Sequence, residues 1–238
     1  MGESMQLSKR LQKIADKVPP SVRVADIGTD HGYVPVYLIE NKIAQTVIAT
    51  DISSKSIKKA EVIIKNHRVE DKIYTRVGDG LLPLEIGEVD TVIIAGMGGV
   101  LIGNMLKDGL DIAEKIDTFI LQPMMGQEKL RHYLLNNGFA IEDEVLVYED
   151  KKFYEVMVAR HGSQTVEDDI YYEIGYNLIV NHDPYLPKFI YKKMDKTKKL
   201  ISHLEKQDTQ TAKKRMDELK TRLLKYEEVY GWVQKFEI

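Results

Sequence analysis

Three aspartates stand at the ends of short apolar runs, each next to glycine or another small residue. They are Asp26 in Val24-Ala-Asp-Ile-Gly-Thr-Asp-His-Gly32, Asp51 in Ala49-Thr-Asp-Ile52, and Asp79 in Gly78-Asp-Gly80. Glycine lets the backbone turn tightly and approach a ligand with no Cβ in the way. A carboxylate so placed accepts hydrogen bonds: Asp26 from a ligand ammonium, Asp51 from the two hydroxyls of a ribose, Asp79 from an adenine amino group. Ile52 is then expected to pack on the adenine face. A dinucleotide site instead requires three glycines spaced G-x-G-x-x-G to cradle a pyrophosphate. Gly28 and Gly32 are four apart, and Asp30 between them would repel phosphates. A carboxylate is tolerable beside a cationic sulfonium. Asp51 by itself does not separate the two ligands, because NAD sites use the same acid. Taken in register, the three segments describe one adenosine pocket.

Two further segments carry candidate chemistry. Ala95-Gly-Met-Gly-Gly99 ends a strand where such folds place the reacting group and its acceptor. Gly96, Gly98 and Gly99 clear the floor there, and Met97 offers a polarizable surface. Leu121-Gln-Pro-Met-Met125 ends the next strand. Gln122 is suited to hydrogen-bond a base edge, with Met124 and Met125 lining it, although methionines serve equally well as core. His31 is a candidate base or a structural loop histidine. The six histidines form no ligand-spaced cluster and there is no cysteine, so no metal and no disulfide are expected.

The elements that must position these residues follow from periodicity. Leu7, Leu11, Ile14, Ala15 and Val18 fall at helical spacing, predicting a helix over residues 5–18 that Pro19 and Pro20 stop. Strands are predicted at Val22–Ile27, Thr46–Thr50, Ile73–Val77, Asp90–Ala95 and Thr118–Leu121, with helices at Val34–Asn41, Lys55–Asn66 and Gln127–Asn137. This alternation predicts an α/β fold with a mainly parallel sheet covered on both faces. Ala140–Tyr148 and Phe153–Arg160, joined by a polar turn, predict a terminal antiparallel hairpin. A nicotinamide-binding Rossmann domain would normally continue with another parallel strand.

Beyond residue 163 the pattern is helical. Ile170, Ile174 and Leu178 suggest one helix. Ile190, Met194, Thr197, Ile201 and Leu204, then Met216, Leu219, Leu223, Tyr226, Tyr230 and Val233, form two seams stepping by three and four. They predict an antiparallel coiled-coil hairpin turning near Asp208–Thr211. The expected organisation is therefore a domain over 1–163 and a helical domain over 164–238.

The chain has 238 residues, 43% of them hydrophobic, which suffices for a packed core. Its net charge of −3 is unevenly spread: residues 188–238 carry +6 and the rest −9. An acidic body with a cationic arm suggests nucleic acid, while a solvated lysine-rich helical surface accounts for the same numbers. No apolar signal segment or membrane-length run is evident, so a cytoplasmic chain with no membrane partner is expected.

Together with Leu7-Ser-Lys-Arg-Leu11 and Phe153-Tyr-Glu155, these motifs resemble the bacterial tRNA (adenine-N1)-methyltransferases that modify A22 in the D-arm. The resemblance covers essentially the whole chain. It implies a Rossmann-like class I methyltransferase sheet of seven strands, S-adenosylmethionine as donor and tRNA as partner; a monomer is expected. It also implies that Asp26, Gly28, Asp30, Gly32, Asp51 and Ile52 surround the cofactor, with Asp79, Gly80 and Gly96. Thr29, His31, Tyr33, Gly78, Met97 and Gly98 belong to the same expected shell. Asp30 stands where the broader methyltransferase pattern often has glycine. The Asn/Asp-Pro-Pro-aromatic tetrapeptide of exocyclic N6 enzymes is absent, which favours a ring nitrogen. Asp30 and Glu155 are the candidate catalytic carboxylates, to stabilise a cationic product or accept its proton. Gln122 and Met124 are assigned to the substrate. So are the cations of the hairpin: Lys193, Lys196 and Lys199, then Lys213, Lys214 and Arg215. The competing readings are a methyltransferase for a protein or small molecule, and a non-catalytic S-adenosylmethionine-binding module.

Overall fold

In the computed structural model, which describes residues 4–20 and 22–237, strands and helices alternate along the first two thirds of the chain. Strands β1 (Val22–Ile27), β2 (Ala44–Asp51), β3 (Ile73–Val77), β4 (Thr91–Gly98) and β5 (Thr118–Met125) run parallel. A hairpin of β6 (Phe139–Glu149) and β7 (Lys152–His161) completes one sheet of order β3-β2-β1-β4-β5-β7-β6, with β7 antiparallel to β5. A seven-stranded, mainly parallel sheet with a terminal antiparallel hairpin is the arrangement that the resemblance implies. The order reverses at β1, and the β1/β4 crevice beyond the carboxyl ends is where open α/β sheets bind ligands.

Consecutive strand residues point to opposite faces of the sheet. Val24, Val47, Ile93, Ile120 and Val156 pack on one side against α1 (Lys9–Asp16), α2 (Tyr33–Glu40) and α3 (Ser54–His67). Ala25, Ile48, Val92, Leu121 and Met157 pack on the other, against α4 (Gly99–Asp108), α5 (Leu110–Ala113) and α6 (Gln127–Asn136). The α1–α3 face and the α4–α6 face thus each have an apolar core.

The first helix is shorter than its periodicity suggests, because the Ser8 hydroxyl accepts from Leu11 N and starts it at Lys9. Glu149 accepts from the backbone N–H of Lys9 at 2.7 Å, and Lys17 pairs with Asp143 at 2.5 Å, so β6 grips both ends of α1. The segment Gly96–Gly98 continues β4, paired with Pro123 and Met125 of β5, and α4 follows directly.

The chain divides into two compact units at Thr165/Val166. Within the second unit the apolar residues expected to share one helix lie on two, α7 (Ile170–Ile174) and α8 (Tyr176–Val180), parted at Gly175 with φ 90°. Helices α9 (Leu186–Leu204) and α10 (Gln210–Val233) follow, and a short 3₁₀ helix covers 234–237. α10 starts where the Thr209 hydroxyl caps Ala212 N. Lys198–Glu227 at 3.0 Å and the Tyr191 and Tyr230 rings 6.4 Å apart show α9 and α10 to be antiparallel. No described helix is long and apolar enough to cross a membrane.

Candidate active site

Asp26 is the penultimate residue of β1 and shares the parity of Val24, so its carboxylate enters the α1–α3 face of the sheet. There it lies beside a cavity of about 350 Å³ lined by Arg10 and Leu11 of α1, by the β1–α2 turn from Gly28 to His31, and by Ala95 and Gly96 of β4. Tyr33, Val34 and Ile93 close the rest. Asp26 is 6% exposed and has no cation within ion-pair distance among the described residues. Burial pushes its carboxyl up to about 6, with the Thr29 hydroxyl opposing the rise and the nearby Asp51 charge adding to it. A buried acid of this kind is completed by a ligand that brings positive charge.

Two glycines shape the cavity. Gly28 has φ 74°, and a Cβ there would meet Met97 Cε at 2.1 Å, so the turn admits no side chain while Met97 covers it. Gly96 has φ 81°, and a Cβ there would stand in open space 4.0 Å from Arg10 Nη1.

The other expected adenosine contacts lie at the neighbouring strand tips, outside the cavity lining. Asp51 ends β2 and is fixed by two backbone donors, Ser53 N at 2.8 Å and Asp30 N at 3.2 Å. Ile52 beside it is 70% exposed. Gly78 N donates to Asp51 O, which ties the β3–β4 connection to β2. Asp79 is exposed, while Gly80 beyond it is buried. The structure therefore unites Asp26 and Asp51 and leaves Asp79 at the adjacent strand end. Thr29 and Gly32 continue the β1 turn, with Gly32 preceding the first residue of α2. Asp30 has φ 50°, and its carboxylate is 2.7 Å from His31 Nδ1 and 3.5 Å from Lys59 Nζ. The His31 ring stacks on Tyr33 with centroids 5.2 Å apart.

Two expected site residues take other places. Glu155 shares the parity of Met157, so it points to the α4–α6 face, away from the cavity. There Arg131 of α6 binds Glu155 at 2.6 Å and Glu144 at 2.7 Å, all three nearly fully buried. Burial alone would lower the Arg131 guanidinium, but the two carboxylates outweigh it and hold it above its ordinary value. Glu155 is accordingly a structural ion-pair member, and the catalytic expectation for it is withdrawn. Gln122 is fully buried: its Oε1 accepts from Arg10 Nη1 at 2.8 Å, and its Nε2 donates to Pro123 O at 2.9 Å. It orients Arg10 and does not present a free amide to a base. Met124 and Met125 are 44% and 70% exposed at the tip of β5.

The residue given no role by motif reading is Arg10, whose guanidinium also lies 5.5 Å over the Tyr154 ring. The signal was present: Arg10 sits on the same helical stripe as Leu7, Leu11 and Ile14, and a charge on an apolar stripe needs a reason.

In the second unit Lys193 lies over the Phe189 ring at 4.7 Å, and Lys196 is exposed. Lys199 pairs with Asp195, Lys213 with Asp208 and Arg215 with Glu218, all at the surface, while Lys214 is exposed beside them. No group of three or more histidine, aspartate or glutamate residues among the described residues is arranged to hold a metal.

A family model described as "Methyltransferase domain" matches residues 7–157. Over 165 residues the chain is 38% identical to the tRNA (adenine(22)-N(1))-methyltransferase of Bacillus subtilis, covering 69% of each protein. The crystal structure of the B. subtilis m1A22 tRNA methyltransferase superposes with a TM-score of 0.87 at 32% identity, covering 95% of this chain and 99% of that one. A Streptococcus pneumoniae protein solved in complex with S-adenosyl-L-methionine gives a TM-score of 0.84 at 29% identity, covering 94% of this chain and all of that one.

Proposed function

We propose that this chain, which belongs to the tRNA (adenine(22)-N1)-methyltransferase family, transfers a methyl group from S-adenosylmethionine to N1 of adenine 22 in the D-arm of tRNA. The observation that carries the reading is Asp26: a buried carboxylate with no ion-pair partner among the described residues, beside a cavity at the switch point of a methyltransferase sheet. The donor set fits the cofactor. Asp26 suits its ammonium and lies in the field of its sulfonium, and Gly96 leaves room that a side chain would fill. Asp51 keeps outward lone pairs for the ribose hydroxyls, Asp79 suits the adenine amino group, and Ile52 offers its face to the ring. Thr29, His31, Gly32 and Tyr33 wall the tail, with Gly28, Gly78, Gly80, Met97 and Gly98 shaping the floor.

When bound, the cofactor supplies an electrophilic methyl group. Adenine N1 has an in-plane lone pair and needs no prior deprotonation, so the protein's work is alignment into a near-attack geometry. The product base is cationic. Asp30, oriented by His31 and exposed at the cavity rim, stabilises that charge or accepts a proton from the amino group. Because N1 lies on the Watson–Crick edge, a paired target must first be exposed, at a cost of a few kcal/mol. Residues 1–163 perform the chemistry, and 164–238 form a coiled-coil arm that holds the tRNA backbone. Lys193, Lys196, Lys199, Lys213, Lys214 and Arg215 supply phosphate contacts, and their exposed ion pairs are weak enough to exchange. Met124 lines the approach of the base. The enzyme acts as a cytoplasmic monomer without a metal.

The test is incubation with unmodified tRNA and methyl-labelled cofactor, followed by reverse transcription. Label should enter tRNA, with a stop at position 22, and a transcript carrying G22 should take none. Label at another position, or only in protein or small molecules, contradicts the assignment. Replacing Lys196, Lys213, Lys214 and Arg215 together by alanine should flatten the salt dependence of tRNA binding, by about one unit of slope for each phosphate no longer neutralised.

A further inference from the structure

A second cavity of the first unit, of about 760 Å³, opens between the β3–β4 connection and the junction of α4 with α5. None of its lining residues borders the cavity beside Asp26. Leu84, Gly109 and Ile112 form its floor, and the exposed Leu82, Ile86 and Leu110 stand at its sides. The two walls are packed directly together, because a Cβ on Gly109 would meet Leu81 Cβ at 2.7 Å. Three exposed aliphatic side chains around one hollow differ from the singly scattered apolar residues of an ordinary surface.

The charge around the hollow is of one sign in excess. Glu85, Asp108 and Asp111 are exposed there, against the one lining cation, Lys107. Among the described residues none of the three acids has a cation within ion-pair distance. Arg76, near enough to feel Glu85, is spent on Glu88 at 2.6 Å. Uncompensated acids repel RNA phosphates, anionic lipid headgroups and, across a two-fold axis, the same patch of a second copy. They attract lysine and arginine. No strand edge lines the hollow, so an occupant does not extend the sheet and is held by its side chains.

We propose that this groove docks an amphipathic helix of a partner protein, with aliphatic side chains on one face and lysine or arginine flanking them. The aliphatic face enters between Leu82, Ile86 and Leu110, and the basic flanks meet Glu85, Asp108 and Asp111. The surface is independent of the cofactor and tRNA reading. It does share a loop with that reading, since the connection forming one wall starts at Gly78–Gly80 and carries Asp79.

The experiment is fluorescence-anisotropy titration of the full chain into two labelled model peptides of about 15 residues, long enough to form a helix. One has leucine at helical spacing along one face and lysine elsewhere, and the other has every lysine replaced by glutamate. The lysine peptide should bind saturably and one to one, and the glutamate peptide at least about tenfold more weakly. Ile86→Ser with Leu110→Ser should abolish binding of the lysine peptide while keeping the wild-type melting temperature and tRNA methylation rate. Glu85→Lys with Asp111→Lys should reverse the preference between the peptides at an unchanged melting temperature. Absence of saturable binding overturns the assignment, as does equal affinity for the two peptides or binding that survives the serine pair. So does a serine pair that weakens tRNA binding or abolishes a concentration-dependent dimer, which would make the groove an RNA contact or a self-interface.

Discussion

The two faces of one sheet bury carboxylates in opposite ways. On the α4–α6 face, Glu144 and Glu155 close on Arg131, and the protein supplies its own counter-charge. On the α1–α3 face, Asp26 is equally buried and receives none, so its carboxyl is pushed up to about 6. Satisfying a buried charge internally makes it part of the scaffold. Leaving it unsatisfied costs stability and reserves the site for a ligand that completes it. The first arrangement is architecture and the second is function, and only a strand parity separates them.

The largest expected effect lies on the scaffold side. Arg131→Met leaves two carboxylates facing each other in the interior and should destabilise the fold by about 3–5 kcal/mol. A melting temperature lowered by roughly 10 °C reads this out, and the remaining folded protein should bind cofactor as before. Unchanged stability would erase the contrast. Asp26→Asn should do the reverse. A carboxyl whose folded pKa is raised contributes most below its unfolded value, and stability falls as pH rises from about 4 to 6. Removing the charge should therefore stabilise the unliganded protein by on the order of 2–3 kcal/mol at pH 7, with no gain near pH 4. Urea unfolding at the two pH values measures it, and a loss of stability at pH 7 would mean that Asp26 has a partner. Smaller still is the catalytic contrast between two acids. Asp30→Asn should slow single-turnover methylation about tenfold, whereas Glu155→Gln should leave the rate of folded enzyme unaltered. A slow Glu155→Gln enzyme of normal stability would return that residue to the chemistry.

Much of this was legible in the sequence, for reasons particular residues make clear. Strand cores such as Val24–Ile27 and Ile73–Val77 are apolar and flanked by turn residues, so their positions follow from periodicity. The βα turn at Asp26–Gly32 is encoded locally, by glycine at the left-handed position 28. Glu155 and Tyr154 differ by one residue and point to opposite faces. Motif reading took the residue type that can do acid chemistry and did not apply the alternation that Val156 and Met157 fix. Gln122 and Arg10 are 112 residues apart, and nothing local announces that one spends its amide on the other. The α1 boundary turned on a single hydroxyl, that of Ser8, which competes with the apolar periodicity of Leu7.

The central claim is that Asp26 is held ready for a cationic ligand, and the pH dependence of cofactor binding tests it most directly. Calorimetric titration of S-adenosylmethionine should show wild-type affinity falling about tenfold between pH 7 and pH 5, as the carboxyl near 6 takes up its proton. Asp26→Asn should bind more weakly at pH 7 and show a flat profile. Parallel profiles for the two proteins would contradict the account.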